Sequence, residues 1–261
     1  MTSDALQDIA ADLYGAHRSG KAVPSAVRNG SLSSRSDAYA IQWAQLRQRI
    51  LDHDPLRGFK AGLVSVPAQR EMDTSEPVLG HLTDSMFPPG HEPLDGREFL
   101  RPRIEPALAF VLGEPLPGPR VTVADALRAV DCVLPALEIT DSRYEDGPAS
   151  VLDLVADNAG CRSVVLGGTP ATLADVDLRL SGCVLHRNGE VAATGAGGMA
   201  LGSPVNALVW AGNAVRQEEF ALAAGHVVLV PCLTPAVAFE PGDTVTASIA
   251  GVGTVTAVRA R

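Results

Sequence analysis

An α+β fold, with two helices leading into a rolled or sandwiched mixed β-sheet core, is what this chain of 261 residues predicts. Three observations predict it. Apolar residues recur at helical spacing as far as Leu51, short extended segments dominate from Gly58 onward, and Asn188-Gly189 between two such segments marks a hairpin. With 46% apolar residues the chain can bury a substantial core, and no linker divides it. Residues 1–261 are therefore read as one domain, with a helical part at 1–55 and a mainly β part at 56–261.

The elements follow in order. Leu6, Ile9 and Leu13 place a helix over Asp4 to Tyr14, with Ser3 or Asp4 as its cap. Tyr39, Ile41, Trp43, Leu46 and Ile50 place a second over Ser36 to Leu51, begun by Ser34 or Ser36. Phe59 to Val64, Glu105 to Leu112, Val133 to Ile139 and Ser163 to Leu166 read as strands. Thr122 with Asp125 three residues on opens a short helix to Val130. The Pro/Gly-rich stretch from Met86 to Gly96 is a loop. Cys183 to His186 and Val191 to Ala193 form the arms of the hairpin, and Ser203-Pro204 starts a helix through about Arg216. Strands return at Val227 to Val230 and Thr244 to Val258, with Pro241-Gly242-Asp243 turning between them.

Composition narrows the function. The formal net charge is -9 and the basic residues are scattered, which argues against a nucleic-acid partner. The start, Met-Thr-Ser-Asp, has no basic segment followed by an apolar one, and no apolar run is long enough to span a bilayer. A cytoplasmic protein without a membrane partner is expected. Cys132, Cys161, Cys183 and Cys232 lie about 20 to 50 residues apart, without the close pairs of zinc sites, and read as buried free thiols. The six histidines show no metal spacing and read as surface or loop residues.

Lys21 and Lys60 are the only lysines among 21 basic residues. In a chain so biased to arginine, a lysine inside an apolar segment points to a need for a primary amine, which singles out Lys60. Glu105 and Glu138 also sit in apolar, strand-like segments, where a carboxylate needs a cation or a partner. Either a metal ion or arginines such as Arg101, Arg103 and Arg143 would serve. Arg143 could clamp an anionic substrate unless Glu145 or Asp146 occupies it, and Asp157-Asn158 reads as an Asx-type turn. Pro106 has no N–H to give a neighbour, which suggests an edge or a bulge.

Three blocks, Arg103-Ile104-Glu105-Pro106-Ala107, Leu134-Pro135-Ala136-Leu137-Glu138 and Val155-Ala156-Asp157-Asn158, resemble the pocket of the 2-keto-4-pentenoate hydratase and 4-oxalocrotonate decarboxylase family, within the fumarylacetoacetate hydrolase superfamily. The likeness extends from Ala38-Tyr39-Ala40-Ile41-Gln42 through Lys60-Ala61-Gly62-Leu63 and Pro204-Val205-Asn206-Ala207 to Gly251-Val252-Gly253. That family writes its first block Glu-x-Glu; here the second Glu is Ala107. It usually carries Thr-Gly near the C-terminus, where this chain has Val230-Pro231.

The resemblance implies a fold of the fumarylacetoacetate hydrolase type and a lyase acting on a small, unsaturated 2-oxo acid. It implies a homo-oligomer, with a paralogous decarboxylase or hydratase as a further partner. It makes Glu105 and Glu138 ligands of Mg²⁺ or Mn²⁺, weakly held once residue 107 offers no carboxylate. It makes Lys60 and Asp84 the catalytic pair, and puts Asp157 and Asn158 with Arg143 at the border of the substrate pocket. Two further readings stand beside the hydratase. One is a diverged, metal-poor member acting as an isomerase, cyclase or specialised hydratase. The other is a catalytically silent partner subunit, against which the retention of Lys60 speaks.

Overall fold

Helix α1 (Ser3–Ser19) is capped by the Thr2 hydroxyl, one residue before the expected cap, and ends at Gly20 in the left-handed conformation. Helix α2 (Arg35–Leu51) starts at Ser34, whose hydroxyl accepts from the Asp37 N–H. The two pack on each other through Leu13, Ala38 and Ile41. The computed structural model describes residues 2–90, 92–95, 99–215, 220–231 and 233–261. Cys232, His91 and Gly96 fall outside these residues, as does Arg216 at the expected end of the last helix.

Strands β1 (Leu56–Gly62) and β2 (Val78–Thr83) follow, separated by the short α3 (Val66–Glu71). Next come β3 (Arg103–Leu112), α4 (Val123–Ala129) and β4 (Val130–Thr140). Thr122 and Asp125 form the expected capping box of α4. Helix α5 (Val151–Ala156) leads into β5 (Cys161–Leu166). Strands β6 (Gly182–Arg187) and β7 (Glu190–Ala196) form the hairpin at Asn188-Gly189, where φ is 55° and 88°, two successive left-handed residues as a tight hairpin turn requires. Helix α6 (Pro204–Ala214) precedes β8 (Val227–Val230), β9 (Val237–Ala238), β10 (Thr244–Ile249) and β11 (Gly253–Val258).

The strands form two sheets. One runs β2-β1-β8-β3-β4-β5 with β9 beside β3, and is mixed because only β1 and β8 pair parallel. The other is the antiparallel set β11-β10-β6-β7. Ile104, Leu137, Ile139 and Val165 of the first pack against Leu185, Val245, Ala247 and Val255 of the second. Farther along the same face, Phe59, Leu108, Phe110 and Val228 pack against Trp43 and Leu46 of α2 and Ala207, Leu208 and Ala211 of α6. The other face of the larger sheet carries a second buried cluster with Leu82, Met86, Ala107, Ala136 and Leu229.

Pro106 is neither on an edge strand nor at a bulge. β3 pairs with β4 throughout, but on its other side β8 stops at Val230 opposite Leu108 and β9 begins at Val237 opposite Ile104. The Pro102 carbonyl and the Leu112 N–H both point to that side, so Pro106, in step with them, withholds its N–H where β3 faces a gap in the ladder. Among the described residues no helix is long and apolar enough to cross a membrane.

Candidate active site

Alternation along two strands builds the inner face. Glu105 pairs in register with Glu138, Ala107 with Ala136, and Ala109 with Leu134, so all six side chains leave the sheet on one side. Ala107, Ala109 and Ala136 join Leu82, Met86, Cys161, Val164 and Leu229 in a buried apolar cluster. Glu138 is fully buried and Glu105 is 8% exposed. Residue 107 thus points as the alternation predicts, and contributes a methyl group where a carboxylate would meet Glu105.

Lys60 comes to the same place from β1. Its side chain is 4% exposed, and its Nζ donates to Glu138 Oε1 and, at 2.9 Å, to the Ala159 carbonyl. Burial alone would lower the affinity of this amine for its proton, but the charges of Glu138 and Glu105 and the hydrogen bond to Glu138 outweigh it and hold the ammonium above its ordinary range. Lys60 is therefore an ammonium at neutral pH. The Cys161 thiol beside it is pushed well up by burial and by Glu138, and stays protonated and unreactive.

The chain from Asp157 to Gly160 closes the cluster from above. Asn158, Ala159 and Gly160 have φ of 52°, 53° and 71°, three left-handed residues in succession. Asn158 Oδ1 accepts from the His81 N–H at 2.7 Å and Nδ2 donates to the His81 carbonyl at 2.9 Å. Asp157 is held by Arg143, whose N–H and Nε donate at 2.8 and 2.9 Å, so the expected Asx turn is replaced by a buried ion pair. Burial raises the Asp157 pKa, and Arg143 opposes that. A Cβ on Gly80 would come 2.9 Å from the Asn158 carbonyl, so only glycine lets the turn approach β2.

The sequence-based expectations divide accordingly. Lys60, Glu105 and Glu138 converge, and Asn158 lies one residue from the Lys60 acceptor. Arg143 is engaged by Asp157, not by Glu145 or Asp146; Asp146 pairs with Arg28. Asp84 does not join Lys60. It opens a 3-10 turn that sends Met86 inward, and its own exposed carboxylate pairs with Arg57 at 2.7 Å. The acid beside Lys60 is Glu138.

Two residues were not anticipated in this region. Cys161 follows the Asp157-Asn158 block by three residues, its only signal in the sequence. His81 is not a surface histidine: it is 1% exposed, and neither ring nitrogen has a hydrogen-bond partner among the described residues. It faces the helical layer, opposite to Lys60, since its register partner is Phe59. Burial, then the Arg49 charge, holds it neutral, against a weaker pull from Asp54.

The donor set fits a hard divalent cation in a reduced form. Glu138 Oε2 is buried without a hydrogen-bond partner among the described residues, and Glu105 is its neighbour in register. Two carboxylates suffice for such an ion when water completes the shell. No group of three or more His, Cys, Asp or Glu side chains among the described residues is arranged to hold a metal, as the alanine at 107 entails. Cavities of about 760 Å³, bordered by Cys183, Gly195 and Val252, and about 660 Å³, bordered by Tyr14, Arg49 and Arg162, are not lined by Lys60, Glu105 or Glu138. The cluster of Lys60, Glu105 and Glu138 itself is withdrawn from water.

Comparison with known proteins agrees with this geometry. The sequence profile described as fumarylacetoacetate (FAA) hydrolase C-terminal matches residues 59–258. Over 255 residues, 98% of this chain and 95% of the relative, the chain is 38% identical to a 2-keto-4-pentenoate hydratase of Paraburkholderia xenovorans. It is 36% identical over 222 residues to a 4-oxalocrotonate decarboxylase of Pseudomonas putida, covering 85% of this chain and 84% of the relative. The solved structure of a 4-oxalocrotonate decarboxylase from Pseudomonas putida G7, complexed with magnesium and adipate, superposes with a TM-score of 0.92 at 30% identity, over 99% of this chain and 98% of that one. With the curled mixed sheet, the paired glutamates and a likeness that spans helices and strands alike, this chain belongs to the 2-keto-4-pentenoate hydratase and 4-oxalocrotonate decarboxylase family of the fumarylacetoacetate hydrolase superfamily.

Proposed function

We propose that the chain is a lyase that adds water to an unsaturated 2-oxo acid of the 2-hydroxypenta-2,4-dienoate type. The observation that carries the proposal is the meeting of Lys60, Glu138 and Glu105 on the inner face of the sheet. The full-length likeness to a hydratase supports it.

The residues divide the work by charge. Glu105 and Glu138 would hold Mg²⁺ or Mn²⁺, which supplies positive charge to the 2-oxo acid end of the substrate when bound. Lys60 adds a second positive charge on the same face. Held as an ammonium, it enters as a proton donor rather than a base. Ketonisation of the dienol moves the enol O–H proton to C5, which leaves the remaining double bond in conjugation with the 2-oxo group and C4 electrophilic. Water then gives its oxygen to C4 and a proton to C3; in each step Lys60 Nζ would donate to the carbon and recover a proton from the enol O–H or from the water, so that none is consumed in net. The apolar cluster around Ala107 and Leu229 keeps bulk water from the reacting carbons.

A second reading, a member that works with little or no metal, is favoured by Ala107 and by the hold of Lys60 on Glu138. One experiment separates the two. Purified protein is given 2-hydroxypenta-2,4-dienoate with and without Mg²⁺, while loss of the dienol absorbance and the product mass are followed. A product heavier by one water, formed only with the ion, supports the first reading; equal rates without it support the second. Absence of turnover under both conditions overturns both.

A further inference from the structure

We propose that Asn158 is a positioning residue for Lys60: its side-chain amide fixes the left-handed turn whose Ala159 carbonyl holds the lysine ammonium against Glu138. For its kinetic consequences this rests on the proposed hydratase reading. For its geometry it does not.

β2 is an edge strand of the larger sheet, with β1 on one side only. An edge leaves outward-pointing N–H and C=O groups to be satisfied. At His81 both are taken by Asn158, whose amide offers one acceptor and one donor in the place of a peptide group of a further strand. Only a primary amide of this length does both. An aspartate accepts but cannot return a proton to the carbonyl.

The grip is on the residue beside the Lys60 partner. Gly80 pairs in register with Lys60, and its missing Cβ admits the Asn158 backbone. The three left-handed residues then turn the Ala159 carbonyl toward Lys60 Nζ. The other end of the turn is anchored as firmly: Arg143 holds the Asp157 carboxylate, and the Asp141 N–H donates to the Gly160 carbonyl at 2.9 Å. Both polar ends of Asn158 are thus engaged with backbone, which makes it a support for the lysine rather than a substrate contact. A flexible four-carbon stem needs such a second acceptor. Glu138 alone would leave the ammonium free to pivot about one oxygen.

Having two lysines makes the test direct. Lysine-selective ¹³Cε labelling yields two resonances, and Lys21→Arg at an exposed position identifies that of Lys60. Asn158→Asp keeps the acceptor and loses the donor; Asn158→Gly keeps the left-handed backbone and loses both. We expect the Lys60 resonance to move toward that of a solvated lysine, more in Asn158→Gly than in Asn158→Asp, while Lys21 stays in place. With substrate, kcat falls about tenfold or more and KM stays within about twofold, the pattern of a displaced catalytic group.

A Lys60 resonance unchanged in both folded variants overturns the proposal, as does a loss of Tm without loss of kcat. Should neither variant fold, Gly80→Ala decides, because it pushes the same turn from β2 with the amide intact and must displace the same resonance. If the unaltered protein hydrates no 2-oxo acid, the functional reading fails, and the Lys60 resonance still judges the clamp.

Discussion

Lys60 and Glu138 meet although β8 and β3 lie between their strands. In a flat sheet, strands three steps apart are separated by roughly 14 Å, beyond the combined comfortable reach of the two side chains. The contact therefore records the curl of the sheet as much as an affinity between charges. The pair acts as a strut between β1 and β4.

Removing one end of that strut should be costly. Lys60→Met leaves Glu138 buried with its charge uncompensated, and we expect a loss of roughly 3–5 kcal/mol in unfolding free energy, read by urea denaturation at pH 7. Adding Glu138→Gln should restore most of it. If the double variant is no more stable than Lys60→Met, the two residues are not coupled and the strut is wrong.

Lys60→Arg probes chemistry instead of charge. A guanidinium stays positive but is planar and gives up no proton in this range, so hydration should slow by about a hundredfold while the fold is kept. Circular dichroism and the dienol assay report the two halves separately, and full activity in the variant would reduce Lys60 to a mere charge.

Ala107 sets the hold on metal. With two carboxylates, one of them shared with Lys60, the protein should lose Mn²⁺ on dialysis against a chelator. Ala107→Glu places a third carboxylate on the face that Glu105 already uses, and should tighten Mn²⁺ about tenfold or more, measured by electron paramagnetic resonance of the free ion. One divalent ion per chain surviving the chelator in the unaltered protein would show that another residue fills the vacancy.

His81 carries a pH signature. Its folded pKa lies below the unfolded value of about 6.5, so the unfolded chain binds the extra proton first as the solution is acidified. The stability contributed by the neutral ring is complete above about pH 6.5 and declines as pH falls toward the folded pKa, with a slope that approaches about 1.4 kcal/mol per pH unit. Urea midpoints between pH 7 and pH 5 should fall more steeply for the unaltered protein than for His81→Phe. Parallel curves would mean that the ring is already protonated or finds a partner.

Helices α1, α2, α4 and α6, the hairpin and most strands were legible because each repeats its own period or carries its own cap. β2 was not. Val78 to Thr83 is buried on both faces, so it shows no alternation, and α5 is too short for a helical period. Lys60, Glu105 and Glu138 could be found because a charge inside an apolar strand demands a reason. The roles of Arg143, Asp157 and Asn158 could not, since an ion pair and an amide bridge spanning 77 residues exist only after folding. Asp84 misled because its assignment rested on the family resemblance alone: in the fold a single 3-10 turn carries it to the surface, where it pairs with Arg57.

The break in the ladder beside β3 has a thermodynamic meaning of its own. Pro106 and Pro231 flank it, and neither has an N–H with which the strands could zip together when the carboxylates are empty. Here the missing donors are fixed by covalent structure, so the strand that carries Glu105 keeps an interrupted ladder on that side, and the pairing of β3 with β8 ends at Val230 without any side chain having to block it.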